Sequence, residues 1–267
     1  MTAYAGVMRR SFVIALPLLA LAFPALAQDK APTRTRVALG PQLVPSYPGA
    51  DRPSVRPLVD VSRARGGDDF AFEAADESTG FALLRGDRVQ AGSALNFEGA
   101  RRARDVGAAV PRVGFTVELG GFLQYQLTPA VRLRTEVRKG LGGHGGWVGG
   151  VGGDYVWRDR DRWLFSLGPR LTLADRRYHR AYFGISPATA AASGLPAFDA
   201  DGGLQAVGVT AGAIHQLTRR WGLYGYAKYD RLVADPAASP LTRRFGSRDQ
   251  LSGGLALSYT FGARPTD

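Results

Sequence analysis

The feature that most constrains this chain is a long-running period of two. From Val113 to Leu127 the odd positions read Val113, Phe115, Val117, Leu119, Gly121, Leu123, Tyr125 and Leu127, while Thr116, Glu118, Gln124 and Gln126 stand between them. After the turn Leu127-Thr128-Pro129-Ala130 the pattern resumes. Val131, Leu133, Thr135 and Val137 share one face, and Arg132, Arg134, Glu136 and Arg138 share the other. Side chains alternate across a strand, so two faces of opposite character at this period specify β-strands and exclude helices.

The alternation continues along the chain. Trp147, Val151, Tyr155 and Trp157 share a face, then Trp163, Phe165, Leu167, Leu171 and Leu173, then Val207, Val209, Ala211 and Ala213. Trp221 to Leu232 is a tyrosine-rich strand, and Leu251, Leu255, Leu257, Tyr259 and Phe261 form the last. Upstream, strands are expected near 35–43, 54–64, 68–75, 79–84 and 88–97, for a total of twelve. Strands of about 10–14 residues exceed the ~5–6 usual in soluble sheets, which disfavours the alternative of a soluble sandwich. Short and long connections alternate, with one exception near 76–78. That rhythm is the mark of short periplasmic turns and longer outside loops. The expected fold is therefore an all-β, antiparallel, up-and-down transmembrane barrel. With both termini in the periplasm, Tyr125, Trp157, Trp163, Trp221 and Phe261 gather at one interface as an aromatic girdle.

The first 27 residues read as an address. Arg9 and Arg10 precede the apolar run Ser11–Phe23, and Ala25-Leu26-Ala27 is a small-x-small cleavage site. These are the parts of a secretory signal peptide, which leaves residues 28–267 as the barrel. The 267-residue chain has 34 Lys+Arg, 23 Asp+Glu, a formal net charge of +11 and no cysteine. Export redirects that charge away from nucleic acid and toward lipid phosphates and lipopolysaccharide. The lack of cysteine excludes disulfides and thiolate metal sites.

The final strand carries Ser252, Gly254, Leu257, Tyr259 and Phe261. This order of polar residue, glycine, then alternating apolar or aromatic residues resembles the terminal-strand signal read by the barrel assembly machinery. Residues 262–267 follow as an expected periplasmic tail. Further motifs appear in order: Gly40-Pro41 with Pro45-Ser-Tyr47-Pro-Gly49, Gly99-Ala-Arg101-Arg102, Gly142-Gly-His144-Gly145, Tyr178 to Ser186, Ser193-Gly194-Leu195, and Asp235 through Ser239-Pro240. In these motifs the chain resembles the MipA/OmpV family of outer-membrane proteins, the MltA-interacting proteins. The resemblance implies a non-enzymatic scaffold that links a lytic transglycosylase to a penicillin-binding protein in murein synthesis. It also implies links to permeability. It supplies no catalytic residues.

Chemistry is sparse. Gly140-Leu-Gly142-Gly-His-Gly145 matches GxGxxG, but Trp147 opens another strand where a dinucleotide site needs a helix. His144, His179 and His215 show no serine–acid–histidine spacing and are expected at the surface or in the girdle. No metal or cofactor is expected. Arg132, Arg134, Glu136 and Arg138, with Tyr224, Tyr226, Lys228 and Asp230, fall on inward faces. They fit either a basic constriction that selects anions or a narrow interior plugged by paired charges. Loop arginines at 101, 102, 104, 112, 176, 177, 180, 243, 244 and 248 fit lipopolysaccharide phosphates or a merely solvated surface. The scaffold's accessible surface would be the periplasmic turns, including Arg158 to Asp161, Arg219 and Arg220. The competing functions are a narrow channel and, with no motif behind it, a barrel enzyme.

Overall fold

The computed structural model describes residues 32–262. The expected signal segment with Ala25 and Ala27, and the expected tail beyond Gly262, lie outside those residues. Ten long strands and one short one form a single antiparallel sheet. They are β1 (Thr33–Pro45), β2 (Pro53–Arg65), β3 (Ala82–Arg85), β4 (Val89–Glu98), β5 (Thr116–Thr128) and β6 (Val131–Gly142). β7 (Trp147–Asp159), β8 (Trp163–Ala174), β9 (Gly203–Gln216), β10 (Trp221–Leu232) and β11 (Asp249–Phe261) complete it. Each long strand meets or exceeds the ~9–11 residues that a tilted strand needs to cross a bilayer. Among the described residues no helix is long and apolar enough to cross a membrane.

The strand order is β2-β1-β11-β10-β9-β8-β7-β6-β5-β4-β3. The last strand pairs with the first, Leu257 opposite Leu39. Curling of the sheet follows from what one interior segment touches. Asp76 meets Arg170 of β8, Thr210 of β9 and Lys228 of β10, while its neighbour Glu77 meets Arg132 of β6. The sheet is inside-out relative to a soluble protein. Leu119, Leu133, Val137, Leu167, Leu223 and Leu257 are exposed, whereas Glu118, Arg132, Arg170 and Thr210 are buried. That is the pattern of a wall solvated by lipid outside and by its own polar groups inside.

Two expectations from the sequence change. Among the described residues the wall has eleven strands, not twelve, because residues 68–75 are not a strand. The chain leaves β2 at its periplasmic end and rises through the lumen. It rejoins the wall only at Thr79, which bridges to Leu95, and then descends as β3. The physical reason is charge. The segment carries Asp76 and Glu77 into a wall lined by Arg132, Arg134, Arg170 and Lys228. Its alternating aromatics, Phe70 and Phe72, lie over the guanidinium groups of Arg34, Arg36 and Arg132 at 4.4–4.8 Å. The unusually short connection near 76–78 is therefore a bend inside the lumen.

The outside loops are also more than solvated connections. They carry α1 (Ala103–Val106), α2 (Arg176–Phe183), α3 (Pro187–Ser193), α4 (Ala234–Ala238) and α5 (Pro240–Phe245). Tyr47, Val106, Tyr178, Phe183, Ile185 and Leu241 share one apolar core, so the loops fold into a cap. Asp175 caps α2 by accepting from the Tyr178 amide at 2.8 Å, and Ser186 caps α3 through the Thr189 amide.

The lumen as candidate functional site

The interior is an ion-pair lattice built on strand parity. Arg132 is 1% exposed and lies 2.8 Å from Asp154 of β7, with Glu77 on its other side. Arg170 bridges Asp154 at 2.6 Å and Asp76 at 2.9 Å. Lys228 reaches Asp76 at 3.3 Å and Asp230 at 3.0 Å. Arg138 binds Glu118 at 2.8 Å and also pairs with Glu136, which accepts from Ser78 at 2.7 Å. Arg134 approaches Glu136 and Glu77, with its guanidinium 3.9 Å above the Phe122 ring. Burying each such ion costs several kcal/mol unless partners restore what water supplied. Here the partners are supplied from both the wall and the lumenal segment.

All six charges expected in the lumen thus face inward, and they are paired rather than arranged as a basic ring. Sequence reasoning missed five of its eleven charges: Asp76, Glu77, Glu118, Asp154 and Arg170. The parity signal was available for Glu118, Asp154 and Arg170. For Asp76 and Glu77 only the irregular connection hinted at a different path.

His144 and His179 are corrections. Both were expected at the surface, and they are 3% and 1% exposed. Gly142 and Gly145, with φ of +82° and +56°, turn the chain sharply between β6 and β7. That turn points the His144 ring back into the barrel, where Nε2 lies 3.0 Å from Glu118 and Nδ1 accepts from the Gly146 amide at 3.1 Å. The GxGxxG-like stretch is a turn between β6 and β7 that seats a histidine, and no helix follows it. His179 Nδ1 donates to the Asp201 carbonyl at 2.5 Å, while Nε2 is buried without a partner. Burial lowers the His179 pKa, which favours the neutral ring. His215 is exposed on the lipid face, opposite Leu223. Among the described residues no group of three or more His, Asp or Glu could hold a metal ion.

The loop arginines divide by role. Arg101 is 2% exposed and donates to the carbonyls of Tyr182 and Pro111, so it holds the cap together. Arg176 and Arg180 pair with Asp199, and Arg248 donates to the Ala237 carbonyl. Arg102, Arg104, Arg112, Arg177, Arg243 and Arg244 are exposed. At the periplasmic end Arg158 donates to the Phe70 carbonyl at 3.0 Å, and Asp161 accepts from Arg34 and from the Phe70 amide, both at 2.9 Å. Those two turn residues therefore anchor the lumenal segment instead of projecting into the periplasm.

Tyr125, Trp157, Trp163, Trp221 and Phe261 are all partly exposed on the outward face at the periplasmic end. Trp157 packs on Tyr155 and Phe165, and Tyr259 packs on Trp221 and Phe261. Phe97, Phe115 and Trp147 form a second aromatic group at the other end. Ser252, Gly254, Leu257, Tyr259 and Phe261 lie on β11, which is paired on both sides. Between the lumenal segment and the cap remains a cavity of about 730 Å³, bordered by Asp76 and Glu77 and by Tyr47 and Tyr178.

An apolar outer wall, interfacial aromatics and a charged interior filled by its own chain define an outer-membrane β-barrel of Gram-negative bacteria. Residues 37–261 match the MltA-interacting protein MipA family, and the chain belongs to that family. No curated protein matches the chain. Among solved structures it is similar to the N-terminal β-barrel domain of Pseudomonas aeruginosa OprF, at 10% identity and a TM-score of 0.25, covering 87% of this chain and 100% of that one. It is also similar to the Pseudomonas putida toluene transporter TodX, at 10% identity and a TM-score of 0.34, covering 90% and 92%. A third is the COG4313 outer membrane channel from Pseudomonas putida F1, at 12% identity and a TM-score of 0.35, covering 92% and 100%.

Proposed function

We propose that this barrel is a non-enzymatic membrane platform that holds a murein lytic transglycosylase, together with a penicillin-binding protein, at the inner face of the outer membrane. The observation that carries this reading is the family match across 37–261, for a family described as MltA-interacting. The filled lumen is consistent with it, since an anchor needs a rigid wall and no open passage. The face offered to a periplasmic partner is the set of short turns. Arg160, Arg162, Arg219 and Arg220 are exposed there, while Arg158 and Asp161 are engaged internally.

The test is affinity capture with tagged mature protein from detergent-solubilised envelope, with bound proteins identified by mass spectrometry. Recovery of a lytic transglycosylase with a penicillin-binding protein supports the platform. Arg219→Glu with Arg220→Glu should then reduce the yield. Recovery of neither overturns it. A second reading, a narrow channel or permeability protein, draws on the cavity between lumenal segment and cap. Steady conductance across planar bilayers would favour it.

A further inference from the structure

The sheet has two free edges, and they face each other. Among the described residues no strand pairs with the outer side of β2 along its 13 residues, or with β3 on the side away from β4. The lumenal segment causes this. It spends residues 66–78 inside the barrel, so the wall between β2 and β4 is filled only below the Thr79–Leu95 bridge. Above that level β4 continues through Asn96, Phe97 and Glu98 with no partner on this side. Unpaired backbone is expensive in hydrocarbon. β2 reduces the cost with Pro53 and Pro57, which carry no N–H to leave unsatisfied.

The cavity reaches both edges of this gap: Arg56, Pro57, Leu58 and Val59 border it on one side, Asn96, Phe97 and Glu98 on the other. The axial routes are obstructed by the cap above and the lumenal segment below. On the lipid side the edges are apolar, with Val55, Val59, Phe81 and Leu83 each at least 60% exposed. At the upper end of the gap the Arg56 guanidinium lies against Gly99, the residue after Glu98, and donates to the Ser46 carbonyl at 3.2 Å. It is placed as a latch. Inside, seven acidic side chains along the cavity lining stand against five basic ones, with Arg132 behind them joined to Glu77 and Asp154, and Asp230 Oδ1 is buried without a hydrogen-bond partner.

We propose that the gap between β2 and β4 is a lateral portal, through which a single-chain amphiphile with a cationic head group passes between the membrane and the lumenal cavity. The alkyl chain stays against Val59 and Phe97 while the head group meets the acidic surplus near Glu98 and Asp230. This inference does not depend on the platform reading, because it concerns the opposite half of the barrel and a small amphiphile.

The test uses full-length mature protein in phospholipid nanodiscs. The probe is an alkyltrimethylammonium carrying a diazirine next to its head group, and adducts are mapped by mass spectrometry. Adducts are expected on lumen-facing positions such as Asp230 and Ser252. The chain has no cysteine, so Val59→Cys with Phe97→Cys can be stapled across the gap by a bismaleimide without background. Stapling should cut lumenal adducts about tenfold, the effect of ~1.4 kcal/mol, while capping the same cysteines singly should not. Glu98→Gln with Asp230→Asn, which needs no staple, should weaken labelling by the cationic probe and not by its sulfate analogue. Adducts confined to the outer surface, lumenal labelling that survives the staple, or equal labelling by the sulfate analogue would each overturn the proposal.

Discussion

Arg132 shows how the interior is held at the scale of one side chain. It joins Glu77 and Asp154 and lies over the Phe72 ring, with 1% of its surface exposed. Removing one partner of a buried pair leaves uncompensated charge, so Arg132→Met should cost about 3–5 kcal/mol. The loss would be read as a lower midpoint in thermal unfolding of the detergent-solubilised barrel. Combining it with Glu77→Gln and Asp154→Asn should recover much of that loss. His179 makes a pH-dependent counterpart in the cap. Its ring is held neutral by burial, and its Nε2 has no acceptor. The unfolded ring binds a proton near pH 6.5 and the folded ring only below that, so the stabilisation is complete above 6.5 and is lost as pH falls. Limited proteolysis of the 175–203 loop should accelerate at pH 5.5 relative to 7.5, and the difference should shrink in His179→Gln. Residue 132 could be placed inside from parity alone. The burial of His179 could not, because it depends on how separate loops pack into one cap.

The informative element is the lumenal segment. Its sequence imitates a strand, with Phe70, Phe72 and Ala74 alternating with more polar neighbours, and a period of two cannot say whether a strand joins the wall or fills the interior. The distinguishing facts lie elsewhere in the chain. Asp76 and Glu77 are needed by Arg132, Arg170 and Lys228, and the bend after them is too short for an outside loop. The other eleven strands were legible because each presents one lipid face and one polar face. Asp76→Asn with Glu77→Gln should loosen the segment without touching the wall. A cysteine placed at Ala74, which is 7% exposed, should then react with a water-soluble maleimide about tenfold faster than in the otherwise unaltered chain. An unchanged rate would mean that the aromatic contacts of Phe70 and Phe72 hold the segment by themselves.

For the whole molecule, the inverted pattern of apolar outside and charged inside decides the solvent, and the folded cap with the lumenal segment decides the passage. The account makes the barrel an outer-membrane body whose own chain occupies the axial route. Its most direct test is single-channel recording of the purified mature protein in planar lipid bilayers, beside the variant Asp76→Asn with Glu77→Gln. The account predicts a silent baseline for the natural chain and intermittent openings for the variant. Steady, ohmic conductance from the natural chain would contradict it.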